Sequence, residues 1–263
     1  MPKSVPKFEA HMAAKSGLAM AHDASFILQQ LRNVDTERER RRSDPELGSK
    51  VEALKRYQQR RFRHTYNDLL RSVRYAAVTR FFLDKLYGPS DFSRRDAQFA
   101  RVVPAMVRLF PQEIVETVAT LASLHSLSET LDSEMASHLE GNQVDARSYL
   151  HAWQCTARES DRQEQITLTL NLGSCLDHFT RKPLLRRSLH LMRGPARWAG
   201  LSEIQQFLEL GFDTFQAMGG ARDFIAIVEE RERMLAVLLF AAGPSENPPE
   251  RATSQVNALS RLP

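Results

Sequence analysis

Between Ile114 and Leu139 the apolar residues Ile114, Val118, Leu121, Leu124, Leu127, Leu131, Met135 and Leu139 follow one another at steps of three or four. That step keeps one face of an α-helix apolar for about seven turns, whereas a strand changes face at every residue. The pattern predicts a central helix that buries a leucine-rich face. It also requires the neighbouring elements to cover that face.

Most of the remaining chain repeats the same period. Phe62, Tyr66, Leu69, Leu70, Val73 and Ala77 form one stripe of a long helix expected from about Glu46 to Tyr87, with Asp44 as its cap and Pro45 in its first turn. Lys55, Arg56, Arg60, Arg61, Arg63, Arg71 and Arg74 fill its other faces and make it basic. Gly88-Pro89 stops it, and Ser93 with Asp96 fits a capping box that opens the next helix. Pro104 is expected to kink that helix, and Pro111 to start the central one.

Further helices are expected over Asp145 to Glu159, Arg181 to Met192, Ser202 to Met218 and Ala221 to Phe240, the third opened by a Ser202–Gln205 box and ended by Gly219-Gly220. The segment Ile166 to Leu172, ITLTLNL, alternates as a strand does. It reads as helix because the chain offers no second strand to pair with it. The fold expected is all-α, a multi-helix bundle of about seven to eight helices with a long basic N-terminal helix. Residues 1–44, with the ERERRR run at Glu37 to Arg42, read as a mobile segment and linker, 45–242 as a single helical domain, and 243–263 as a disordered tail.

Charge is unevenly distributed: residues 1–110 carry 22 Lys/Arg against 12 Asp/Glu, and residues 111–263 carry 14 against 20. Because cations and acids interleave with core positions, mutual neutralisation within one fold explains this better than a nucleic-acid surface. Without a long apolar run or a signal-like start, a cytoplasmic protein with no transmembrane segment is expected. Cys155 and Cys175 lack metal-site spacing and read as small hydrophobes. No phosphate loop, dinucleotide fingerprint or nucleophile elbow is present, and no cofactor is expected.

The segments RFFLDKLYGPSDFSRRD at 80–96, LSETLD at 127–132 and GLSEIQQFLELGFDTFQAMGGARDFIAIVEERE at 200–232 resemble an uncharacterised all-helical family of bacterial, mainly proteobacterial, proteins. The resemblance covers roughly residues 50–240. It implies the helical fold and carries no activity.

Two constellations stand out as candidate sites. Around the 88–89 turn, Tyr87, Asp91, Arg94, Arg95 and Asp96 gather beside a helix start, where free amides and guanidinium forks favour an anion, but where caps at Asp91 and Asp96 and arginines bridged to acids of the facing helices are the plainer reading. His125, Glu129 and Asp132, spaced four and three apart, share one flank of the central helix, where solvated side chains are the plainer reading. Cys175 and His178, and the Arg231-Glu232 pair, read as packing and as a solvated charged face. The favoured function is a non-enzymatic helical scaffold that self-associates or binds a protein partner. The alternative is a helical enzyme or anionic-ligand binder in which Arg95, His125 and Asp132 converge on one cavity; a third reading is nucleic-acid binding by the basic helix.

Overall fold

The computed structural model describes residues 24–85, 92–241 and 248–263. In chain order the helices are α1 (Ala24–Ser43), α2 (Pro45–Thr65), α3 (Asn67–Arg71), α4 (Ala76–Lys85), α5 (Ser93–Leu109), α6 (Gln112–Ser137), α7 (Ala146–Thr156), α8 (Glu159–Thr180), α9 (Pro183–Leu191), α10 (Arg193–Trp198), α11 (Ser202–Ala217), α12 (Arg222–Ala241) and α13 (Pro248–Leu259). No strand occurs among the described residues. The all-α expectation holds, with more and shorter helices than the seven or eight foreseen. Ile166 to Leu172 lies inside α8, as its lack of a strand partner required.

α6 is central. α1, α2, α7 and α8 pack against it, and α12 and α11 lie on the far side of α8. The tightest seam joins α1 to α6. Ile27, Leu31 and Val34 of α1 meet a face of α6 on which Val115, Ala119, Ala122, Ser126, Glu129, Ser133 and Ala136 are buried. Both stripes step by three and four, the pattern that keeps two helices in register along their length. The most buried face of α6 is therefore small and partly polar. The expected leucine face is real at Leu131, Met135 and Leu139, but Ile114, Val118, Leu121, Leu124 and Leu127 are only half-buried. Alanine and serine win the seam because small side chains let α1 approach closely.

Three corrections to the sequence reading follow from tertiary contacts. The long basic helix is cut into α2, α3 and α4. Arg231 of α12 donates to the Thr65 carbonyl (2.8 Å) and to both oxygens of Asp68 (2.7 Å each), which fixes the end of α2. Ser72 is extended, and Arg74 donates to the carbonyls of Met218 (3.0 Å) and Gly220 (3.1 Å). Val73, expected inside, is fully exposed as a result. The ERERRR run is the C-terminal half of α1, not a linker, and the tail folds back as α13, placing Ala258 and Leu262 in the core. The helix expected over Asp145 to Glu159 is present as α7, capped by Asp145 and ended three residues early by Ala157 in a left-handed conformation (φ 49°).

Some local rules held without change. The Asp44 carboxylate accepts from the Leu47 amide at 3.0 Å, and Gly219 and Gly220 leave α11 with φ of 69° and 117°. The two capping boxes did not form as expected. Both helices begin without a side-chain cap from their own first turn, and Gln98 of α5 instead accepts the Glu203 and Ile204 amides of α11 at 3.2 Å each.

Candidate functional site

The buried apolar residues form three clusters, which gather around α2, α7, α12 and α13; around α3, α4 and α11; and around α1, α5 and the start of α6. Members of all three line one internal cavity of about 220 Å³. α8, α11 and α12 give it an apolar side with Leu170, Leu172, Phe207, Phe224, Ile225 and Val228, while α5, α6 and α2 supply most of its charge.

Arg95, His125 and Asp132 are all among the residues that line this cavity. Tyr87 and Asp91 lie outside the described residues. Arg94 points elsewhere: it is exposed and pairs with Glu203 at 3.0 Å. The α6 carboxylates Glu129 and Asp132 are buried rather than solvated. Arg231 and Glu232 likewise are tied into the fold instead of forming a solvated face, Arg231 on Asp68 and Glu232 on Arg61 at 2.6 Å. Cys155 is exposed beside His151 rather than packed, and His178 reaches Glu113 at 2.8 Å.

The first polar hub is Asp96. Its carboxylate meets Arg38 at 2.5 Å, His125 Nε2 at 2.8 Å and Arg95 Nε at 3.3 Å. Burial pushes its pKa up, but the hydrogen bond and charge of His125, with Arg95 and Arg38, outweigh burial and hold it well below the usual carboxylate range. Arg95 is stacked between the rings of Phe92 and Phe207 at 4.2 and 4.8 Å from their centres and donates to the Lys85 carbonyl at 3.0 Å. Burial lowers its pKa. The guanidinium expected to catch an anion is thus already paired and packed.

The second hub is Glu129. Arg41 grips one carboxylate oxygen, donates to the Glu129 carbonyl at 2.7 Å and reaches Ser133 Oγ at 2.8 and 3.0 Å. Lys55 holds the other oxygen at 2.6 Å and stands 3.8 Å from Asp132, which also accepts from Gln58 at 2.9 Å. Burial raises the Glu129 pKa, and the Lys55 and Arg41 charges overcome it, leaving the group at about 2.

The third group was not foreseen. Arg61 pairs with Glu232, which also accepts from the Tyr66 hydroxyl at 2.7 Å. Arg162 lies over the Trp153 ring at 4.3 Å, donates to Gln165 at 3.0 Å and touches Met135 Sδ at 3.5 Å. Gln165 in turn donates to Ser128 of α6 at 2.8 Å. The signal for these residues was their phase. Arg61 continues the stripe Leu47, Val51, Leu54, Gln58, and Arg162 opens the stripe Ile166, Thr169, Leu172, so each charge sits where an inward residue is due.

The arrangement is a mostly apolar chamber with fixed, oriented charges and a histidine held by a carboxylate. Among the described residues no group of three or more His, Cys, Asp or Glu is placed to hold a metal ion, and no helix is long and apolar enough to cross a membrane. A family model described as a domain of unknown function (DUF8198) matches residues 37–246. The chain belongs to that family. The DUF8198 match begins in the second half of α1 and ends after α12, so it takes in both hubs and every cavity-lining residue except Leu31. No curated protein and no solved structure matches the chain.

Proposed function

We propose that this DUF8198 chain binds a small molecule in the cavity between α6, α5, α8 and α12. The observation that carries the reading is that Arg95, His125 and Asp132 line one chamber with a largely apolar opposite side. Such a chamber, with few convergent polar groups, is the usual form of a ligand site. Bringing several charges to the wall of a cavity carries a desolvation cost, and a functional site is one reason a fold tolerates it. Native mass spectrometry of the full chain purified from its host tests the proposal. The expected result is a stoichiometric small-molecule adduct that disappears in Thr169→Phe, which fills the chamber from α8. An adduct that survives the filling variant, or a bare chain from host and from recombinant source alike, refutes it.

Self-association is a second reading, supported by the ridge of α9 and α10. Leu184, Leu191, Met192 and Trp198 are exposed there, and no α9 side chain described is buried. Light scattering over a concentration series is the test. A mass that rises with concentration and falls back in Trp198→Glu supports it, and a monomer throughout removes it.

A further inference from the structure

Among the described residues, one cation of the chamber forms no salt bridge. Lys55, Arg61 and Arg95 each reach a carboxylate within 4 Å. Arg162, only 5% exposed, reaches none among the described residues; its donors meet an amide oxygen and a thioether. Burial lowers its pKa, although at an arginine the charge persists. Arg162 lies over the Trp153 ring, and two other buried nitrogens of the chamber's residues have no hydrogen-bond acceptor: the indole Nε1 of Trp153 and Nε of Arg61. Native interiors satisfy nearly all such groups, and an orphaned donor on a cavity wall marks a missing acceptor. All three residues line the chamber, next to Ile166, Leu235 and Ala236.

We propose that the ligand is an amphiphilic acid whose carboxylate or phosphate group is received by Arg162, Trp153 and Arg61, with its apolar body in the chamber toward α12. The inference rests on the ligand-binding reading above and adds the chemical class. A guanidinium offers planar paired donors to either acid group, and the stacked indole holds that plane in place. Arg94 and Arg95, where the sequence pointed for an anion, are occupied by Glu203 and Asp96. Arg162 takes that role.

The test uses the full chain with decanoate, decyl phosphate and 1-decanol, titrated calorimetrically. One acid per chain should bind at least about tenfold more tightly than the alcohol, the scale of a charge-assisted bond in a buried site. Whichever acid binds more tightly identifies the head group. Arg162→Met should abolish the preference for acid over alcohol while raising the thermal midpoint of the ligand-free chain, since it removes a buried charge that lacks a carboxylate. A purely structural arginine would lower that midpoint. Trp153→Phe keeps the ring under Arg162 but deletes the donor, and should weaken the acids about fivefold while leaving the alcohol unchanged; it serves even if the first variant misfolds. Decanol binding as tightly as the acids, or a preference that persists in both variants, overturns the acid site and leaves the cavity reading standing. Absence of binding by all three probes likewise overturns the acid site, and the native mass spectrum then decides the cavity reading by itself.

Discussion

Replacing Glu129 by glutamine keeps the shape of the side chain and removes the charge that Arg41 and Lys55 share. Both cations would stay buried, Arg41 with the backbone carbonyl of residue 129 at 2.7 Å and Ser133 Oγ at 2.8 Å, and Lys55 with Asp132 at 3.8 Å as their remaining partners. Two arguments give the cost. The carboxyl group, ordinarily near 4.5, is held at about 2 in the fold, and that gap corresponds to roughly 3 kcal/mol of stabilisation. Breaking one side of a buried ion pair costs about 3–5 kcal/mol in comparable cases. The pH dependence has a definite sign. The folded chain holds this proton more weakly than the unfolded chain, so the contribution is complete above about 4.5 and is lost as pH falls toward 2. Urea unfolding followed by circular dichroism, from pH 7 down to pH 2.5, should show Glu129→Gln less stable by roughly 3 kcal/mol at neutral pH, with the two chains converging at the acid end. A difference below about 1 kcal/mol at pH 7, or one that stays constant with pH, would refute the reasoning.

Three other perturbations probe the fold. Gly220→Ala should destabilise by about 1–3 kcal/mol, because φ of 117° suits only glycine although a Cβ there would meet Arg181 and Arg74 only at ordinary contact distance, and a thermal melt would read the loss. Deleting residues 248–263 uncovers Tyr57 and withdraws Ala258 and Leu262 from the core, so the urea midpoint should fall by an amount equivalent to roughly 2–4 kcal/mol. Trp198→Ala removes a side chain that is 94% exposed and should leave stability within about 0.5 kcal/mol in the same assay.

The helical class was legible because the apolar period is long and unbroken, and individual caps such as Asp44 were legible because they involve only neighbours in sequence. The breaks after Thr65 and at Ser72 were not, since no glycine or proline marks them; Arg231 and Arg74 impose them from far along the chain. The candidate site was half legible. Arg95, His125 and Asp132 were named for their chemistry and do share a cavity. Arg61, Arg162 and Glu232 were passed over because a charge within a charged stretch looks solvated. Their phase told otherwise: Glu232 lies in step with Ile225, Val228, Leu235 and Leu239, as Arg38 and Arg41 do with Ile27, Leu31 and Val34. An ionic residue that keeps the beat of an apolar stripe marks the level at which a bundle opens into a chamber.

Most of the ion pairs in the two hubs and the third group join residues distant in sequence. Arg38 and Asp96 are separated by 58 positions, Lys55 and Glu129 by 74, Arg41 and Glu129 by 88, and Arg61 and Glu232 by 171. None can close until the helices between them have docked, since each closure bears the loop entropy of the intervening chain. These contacts therefore belong to the descent from the transition state and govern how fast the native chain opens more than how fast it forms. The charged interior acts as a set of latches, and what it lengthens is the lifetime of the folded state.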